Sequence, residues 1–415
     1  MDFSRKIGFL VFVLCLLISL KNQNAETKRG SQYSPEISSI FTAWSPSLPV
    51  FLSTKVDGNP EKFGDPQPLK YDYYRISCPR TEHIVRSAVR RLYDVRPNVS
   101  AALLRLVFHD CFVEGCDASV LLDGADGIES EKESPPNESL KGYDLIDIIK
   151  SELEEACPGV VSCADIVVLA ARESVVLAGG PFYPLYTGRR DSNVSYPEIA
   201  TYELPSPQDD LPKTITSFAS RGFDERETVS LLGAHSTGMI HCKFFLNRLY
   251  NFDGTDEPDP TMDIEFLNLL RSKCNNSHRS TSSSSSSSSP TSAPSASPLK
   301  SPLPSPTPSP TSSVDSSPPT SHNQEMGMKM DYEGPGSGFG MLYYRSLLQG
   351  KGILYVDQQL TAGEETETWV RAYASDVLLF QRDFALAMMK LSDYRVLTAP
   401  MGQVRVNCRK VVRER

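Results

Sequence analysis

Of the nine cysteines in this 415-residue chain, Cys15 lies in an apolar N-terminal run. The other eight, Cys78, Cys111, Cys116, Cys157, Cys163, Cys242, Cys274 and Cys408, are spread over the rest. An even number in an exported chain points to four disulfides, although about a hundred pairings of eight thiols remain open on arithmetic alone. The spacings are not those of a zinc site. Cys111 and Cys116 have four residues between them and no second close pair to complete a tetrahedron.

Export is itself legible. Arg5 and Lys6 precede an apolar run from Ile7 to Leu20, too short for a comfortable membrane span, and Asn24-Ala25 offers a cleavage point. Residues 1–25 therefore read as a signal peptide, with an uncleaved anchor as the alternative and no stable membrane insertion expected. The net charge of −9 and the lack of a basic run exclude a nucleic-acid footprint.

Residues 26–70 are polar and Pro-containing, and are expected to be a poorly ordered extension. From Tyr71 onward the spacing of apolar residues predicts helices at Thr81–Asp94, Asn98–Val113, Leu140–Ala156 and Cys163–Ala178, the last apolar all round and hence central. Further helices are expected at Lys213–Arg221, Glu225–Gly233, Asp263–Lys273 and Ser375–Leu391, with Asp224 and Glu227 spaced as a capping box. Only short runs such as Ile353–Val356 suggest strand, so the fold class is mainly α. Ser280 to Ser321 is almost entirely Ser, Pro and Thr and lacks the apolar area to offset ordering. It is read as a disordered insertion over 277–325 that interrupts one domain spanning 71–411.

The informative stretch is Leu103-Leu-Arg-Leu-Val-Phe-His-Asp-Cys-Phe-Val-Glu-Gly-Cys-Asp-Ala-Ser119. On a helix, Arg105 and His109 share a face, with Phe108 beside them. A neutral imidazole can move a proton from one peroxide oxygen to the other, while a guanidinium stabilises charge on the departing oxygen. An Arg-x-x-x-His pair alone is common, and its flanks strengthen it. Asp110, Asp117, Ser119 and the carbonyls of Val113 and Gly115 gather oxygen ligands suited to Ca²⁺; an acidic turn closed by Cys111 and Cys116 is the plainer alternative.

Arg105 to Ser119 resembles the distal helix and distal calcium loop of the class III secretory plant peroxidases. Leu231-Leu-Gly-Ala-His-Ser-Thr-Gly238 resembles that family's haem-ligand motif, and Gly180-Pro with Gly188-Arg-Arg-Asp191 is a third match. The resemblance implies the plant haem-peroxidase fold, with haem b between distal and proximal halves. It implies that His235 is the axial iron ligand and that Asp357 accepts its other ring N–H. Asn137 would fix the His109 tautomer, Glu131 would buttress the distal network, and the Pro205 carbonyl would lie near reducing substrates. The implied disulfides are Cys78–Cys157, Cys111–Cys116, Cys163–Cys408 and Cys242–Cys274. The partners implied are hydrogen peroxide and small phenolic donors, and the protein is expected to be a monomer secreted to the cell wall, with the vacuole second. Phe108, where cytochrome-oxidising relatives carry Trp, favours small donors over a protein partner.

The chain also departs from the family pattern. A second calcium would begin at Ser236, but its other ligands fall where this chain has Met330-Asp-Tyr-Glu-Gly-Pro-Gly-Ser-Gly-Phe-Gly340. Glu333 stands in for one carboxylate and Gly340 replaces the last, which counts against that ion. Tyr332 takes the place of an aromatic beside the axial histidine, and Pro135 and Gln208 replace aromatics at the substrate entrance. The competing reading is a wall-associated structural protein on a peroxidase scaffold, in which the Ser/Pro tract binds wall polymers. A hydrolase using His109 and Asp110 fails for want of an activated nucleophile.

Overall fold

The computed structural model describes residues 67–96, 98–125, 127, 129–274, 327–330 and 339–412. The expected signal peptide, nearly all of the extension at 26–70 and the whole Ser/Pro insertion at 277–325 lie outside them, as do Tyr332 and Glu333.

Apolar stripes set the first half. Helix α1 (Thr81–Val95) buries Ile84, Val85, Ala88 and Val89, and α3 (Tyr143–Ala156) buries Leu145, Ile146, Ile149 and Leu153. Between them in sequence, α2 (Val99–Cys111) carries Arg105 and His109. All three pack on α4 (Cys163–Leu177), whose first thirteen residues are buried and whose Ser162 cap accepts from Asp165 N at 3.2 Å. Helix α3 starts at Tyr143, because Gly142 at φ 108° breaks the expected start at Leu140.

After α5 (Pro197–Glu203) and α6 (Leu211–Ala219), α7 (Glu225–Leu232) opens on the expected capping box. Asp224 Oδ1 accepts from Glu227 N at 2.7 Å, and Glu227 Oε2 accepts from Asp224 N at 3.0 Å. A 3₁₀ turn, Gly233–Ser236, ends α7 and presents His235. Helices α8 (Leu246–Tyr250), α9 (Ile264–Cys274), α10 (Met341–Leu347), α11 (Tyr355–Gln358), α12 (Glu364–Ser375) and α13 (Val377–Ser392) complete the helical frame. Helix α13 packs on α7 and reaches α2, and so joins the two halves.

Two small antiparallel pairs accompany the helices. Strand β1 (Lys70–Tyr71) pairs with β2 (Tyr186–Thr187), and β3 (Met239–His241) pairs with β4 (Gly327–Lys329). Ahead of β1, Gln67 N also donates to Ala399 O at 3.0 Å. His241 faces Gly327 in register, and the adjacent Cys242 is bonded to Cys274, so the Ser/Pro tract leaves and re-enters at neighbouring points.

Four disulfides are formed, Cys78–Cys157, Cys111–Cys116, Cys163–Cys408 and Cys242–Cys274, the pairs the resemblance implies. The expected strand at Ile353–Val356 is absent. The Gly352 and Ile353 carbonyls accept from buried Arg248 Nη1 at 2.6 and 2.8 Å, and α11 begins at Tyr355. A short buried apolar run has no period to tell strand from helix.

Candidate active site

The distal face is built on α2. Its i, i+4 register sets Arg105 and His109 on one side, while Phe108 packs its ring 4.6 Å from Phe112 and 5.9 Å from Phe218. His109 Nδ1 lies 2.6 Å from Asn137 Oδ1, and Asn137 Nδ2 donates to Glu131 O at 2.8 Å. The amide orientation makes Asn137 Oδ1 an acceptor, so Nδ1 carries the proton and Nε2 keeps its lone pair. Burial, reinforced by the Arg105 charge, pushes His109 down to about 3. At neutral pH the ring is therefore an uncharged base. Arg105 donates to Pro136 O at 2.9 Å and Ser139 Oγ at 3.3 Å, and burial lowers it only to about 10, so it stays cationic.

The proximal face comes from the turn after α7. His235 Nδ1 lies 2.8 Å from Asp357 Oδ1, and Tyr343 Oη donates to the same oxygen at 2.8 Å. Burial would depress His235, but the Asp357 charge and hydrogen bond carry it above its ordinary value, and Arg105 pulls the other way. With Nδ1 engaged and the side chain 38% exposed, Nε2 is available to a metal. A histidine anchored through Nδ1 to a carboxylate has the arrangement of an iron ligand, so the residues fit a haem.

The loop after α2 has the chemistry of a hard-cation cradle. Asp110 and Asp117 are buried, and Asp110 Oδ2 accepts from Ala118 N at 3.1 Å while Asp117 Oδ1 accepts from Ser119 N at 2.9 Å. Asp110 Oδ1 and Ser119 Oγ are buried without a hydrogen-bond partner, as groups awaiting a cation would be. The turn that brings the Val113 and Gly115 carbonyls round needs Gly115 at φ +126°, where a Cβ would sit 2.3 Å from Arg395 O. Among the described residues no three His, Cys, Asp or Glu side chains converge on one point, so this set relies on two carboxylates, a hydroxyl and carbonyls.

Glu131 is buried beside this loop, and burial raises it to about 7. Its Oε1 accepts from Tyr196 N at 2.9 Å and Ser195 Oγ at 3.4 Å. Pro205 is half-buried after α5, with Gln208 and Pro135 exposed. Ser236 Oγ is buried and unpaired, while Glu333, the carboxylate expected to join it, lies outside the described residues. At Gly340, φ is +96° and a Cβ would meet Phe380 Cε1 at 2.0 Å. Gly340→Asp is thus expected to lose about 2–5 kcal/mol of unfolding free energy, from overpacking plus a left-handed backbone. Denaturant titration of the two proteins checks it, and unchanged stability would refute the crowding.

Sequence reading alone missed Tyr343 as a partner of Asp357, since the pair is fourteen residues apart and carries no local signal.

A protein-family model described as Peroxidase matches residues 85–376, which is most of the chain. Putative Peroxidase 48 of Arabidopsis thaliana is 52% identical over 344 residues, covering 83% of each chain. Peroxidase 57 and Peroxidase 28 of the same plant are 38% and 39% identical, each covering 82% of this chain and 92% of its own length. With two anchored histidines, a half-buried arginine and four disulfides in one helical domain, these matches show that the chain belongs to the peroxidase family, as a haem peroxidase of the class III plant type.

Proposed function

We propose that this haem peroxidase splits hydrogen peroxide with His109 and Arg105, holds its haem through His235, and oxidises small phenolic donors admitted near Pro205. The observation that carries the reading is the matched anchoring of the two histidines, Nδ1 of each tied to Asn137 or Asp357 and Nε2 left free. When bound, the haem supplies iron to hold peroxide and to store oxidising equivalents for single-electron donor oxidation.

The chain's own residues do the rest. His109 Nε2 takes the proton of the incoming peroxide and returns it to the departing oxygen. Arg105 stabilises the negative charge that builds on that oxygen. Asn137 holds the base in the required tautomer, and Asp357 makes the His235 imidazole a stronger electron donor. Phe108 and its aromatic neighbours form an apolar wall beside the base. Asp110, Val113, Gly115, Asp117 and Ser119 would hold one calcium that stiffens the end of α2.

Among the described residues no helix is long and apolar enough to cross a membrane. The disulfides suit an oxidising compartment, which supports export to the wall. The Ser/Pro tract would then meet wall polymers. The non-catalytic scaffold reading is disfavoured by the retention of Arg105, His109, Asn137, His235 and Asp357 together.

The test is an absorption spectrum of the purified protein before and after one equivalent of peroxide. A Soret band that shifts and then returns with a phenol is expected; a bound but inert haem would favour the scaffold. His235→Ala is expected to lose haem or its five-coordinate spectrum, and an unchanged Soret band would place the ligand elsewhere.

A further inference from the structure

Behind the axial histidine lies a line of oxidisable rings. Tyr343 donates to the Asp357 oxygen that also accepts from His235, each at 2.8 Å. The Tyr343 ring centroid is 5.0 Å from that of Tyr344, Tyr344 is 5.1 Å from Tyr373, and Tyr373 is 5.9 Å from Trp369. Helix α10 carries the first two and packs against both the Gly233–Ser236 turn and α12, which carries the last two. The three tyrosines are buried, and Trp369 is partly exposed. Trp369 is the single tryptophan among the described residues.

Phenylalanine would pack such a core without burying hydroxyls. The hydroxyls here have particular partners. Tyr343 and Tyr373 donate to carboxylates, Asp357 and Asp383, the latter at 2.9 Å, and Asp383 gives the Tyr373 proton a place to go on oxidation. Asp357 Oδ2 is buried and unpaired, a second acceptor position beside Tyr343. Tyr344 donates to the Val229 carbonyl at 2.9 Å, which accepts no proton, so its ring couples its neighbours without holding the radical. Arg226 lies 4.7 Å over the Trp369 ring and would oppose a radical cation there. However, Arg226 is paired twice with Asp383, at 2.8 and 2.6 Å, and an indole reached by water can shed its N–H proton and become neutral.

We propose that Tyr343, Tyr344, Tyr373 and Trp369 carry oxidising equivalents from the haem site to the surface, where Trp369 oxidises phenols fixed in macromolecules too large to reach the haem. The proposal rests on the haem peroxidase reading. In each event Trp369 gives one electron inward along the tyrosines and its indole proton to water. A donor phenol then returns one hydrogen atom to Trp369 and leaves as a phenoxyl radical. Two events consume the two equivalents of one hydrogen peroxide, and the two protons released match the two taken up in forming two waters.

The experiment treats the holoenzyme with peroxide and the spin trap 2-methyl-2-nitrosopropane, then maps adducts by peptide mass spectrometry. It also compares turnover of guaiacol with that of tyramine coupled to high-mass dextran. An adduct on Trp369 is expected. Trp369→Phe, which keeps an aromatic in the packing, is expected to abolish that adduct and slow the dextran-bound donor about tenfold, with guaiacol within about twofold. Tyr373→Phe, which leaves the surface indole in place, is expected to slow the dextran-bound donor and weaken the Trp369 adduct. A normal Soret response to peroxide without a Trp369 adduct, or undiminished dextran turnover in Trp369→Phe, would overturn the route alone. Absence of any Soret response would overturn the peroxidase reading and the route together.

Discussion

His109→Leu is expected to slow the reaction with hydrogen peroxide by about 10²–10⁴, the usual worth of a positioned general base. Leucine keeps the buried position apolar beside Phe108 and leaves Asn137 bonded to Glu131 O at 2.8 Å, so the helix and the loop below it should hold. On the proposed mechanism, what goes is the lone pair that moves a proton between the two peroxide oxygens. Arg105 remains cationic and can stabilise the leaving oxygen, which is why the residual rate is not zero. Stopped-flow recording of the Soret band after mixing with peroxide measures the step directly. A rate equal to that of the parent would remove His109 from the mechanism.

Asp165→Ala should cost about 3–5 kcal/mol of stability, the usual effect of stripping one partner from a buried ion pair. Asp165 Oδ1 accepts from Arg189 Nη1 at 2.9 Å, and its Oδ2 accepts from Tyr74 Oη and Gly188 N, both at 2.7 Å. Both members of the pair are fully buried. Arg189 also reaches the Ser392 carbonyl at the end of α13, at 3.0 and 2.7 Å, so one node joins α4, β2 and α13. Without the carboxylate, the guanidinium keeps only Asp393, which is 42% exposed, as a charged partner. Equilibrium unfolding in urea would show the loss, and a change below about 1 kcal/mol would mean that water or a shifted side chain replaces the carboxylate.

Legibility in the sequence followed the range of the interactions. Helix α2 and its Arg105–His109 pairing are set by residues four apart, and the Asp224–Glu227 capping box by residues three apart, so both could be read locally. Helix α12 was missed because its first turn is Glu, Glu, Thr and Glu, and its buried Val370, Tyr373 and Ala374 all fall in the second half. The strand pairs have two or three residues each and depend on partners more than eighty residues away. His235 and Asp357 are 122 residues apart, so only the family resemblance could join them. Helix α10 carries no such local signal either, and only the fold sets its Tyr343-Tyr344 between the turn that bears His235 and the helix that bears Trp369.

The covalent topology has a consequence for a chain cut by a protease. Three of the bridges, Cys78–Cys157, Cys111–Cys116 and Cys242–Cys274, close within residues preceding the Ser/Pro tract, while Cys163–Cys408 alone spans it. A single scission inside the tract would therefore yield two polypeptides held by one bond. The first would keep both histidines, and the second would keep Asp357, Tyr343 and Trp369. Such a nicked protein would migrate as one band until thiol was added and as two afterwards. Its proximal hydrogen bond would then depend on the redox state of a cysteine pair remote from it in sequence.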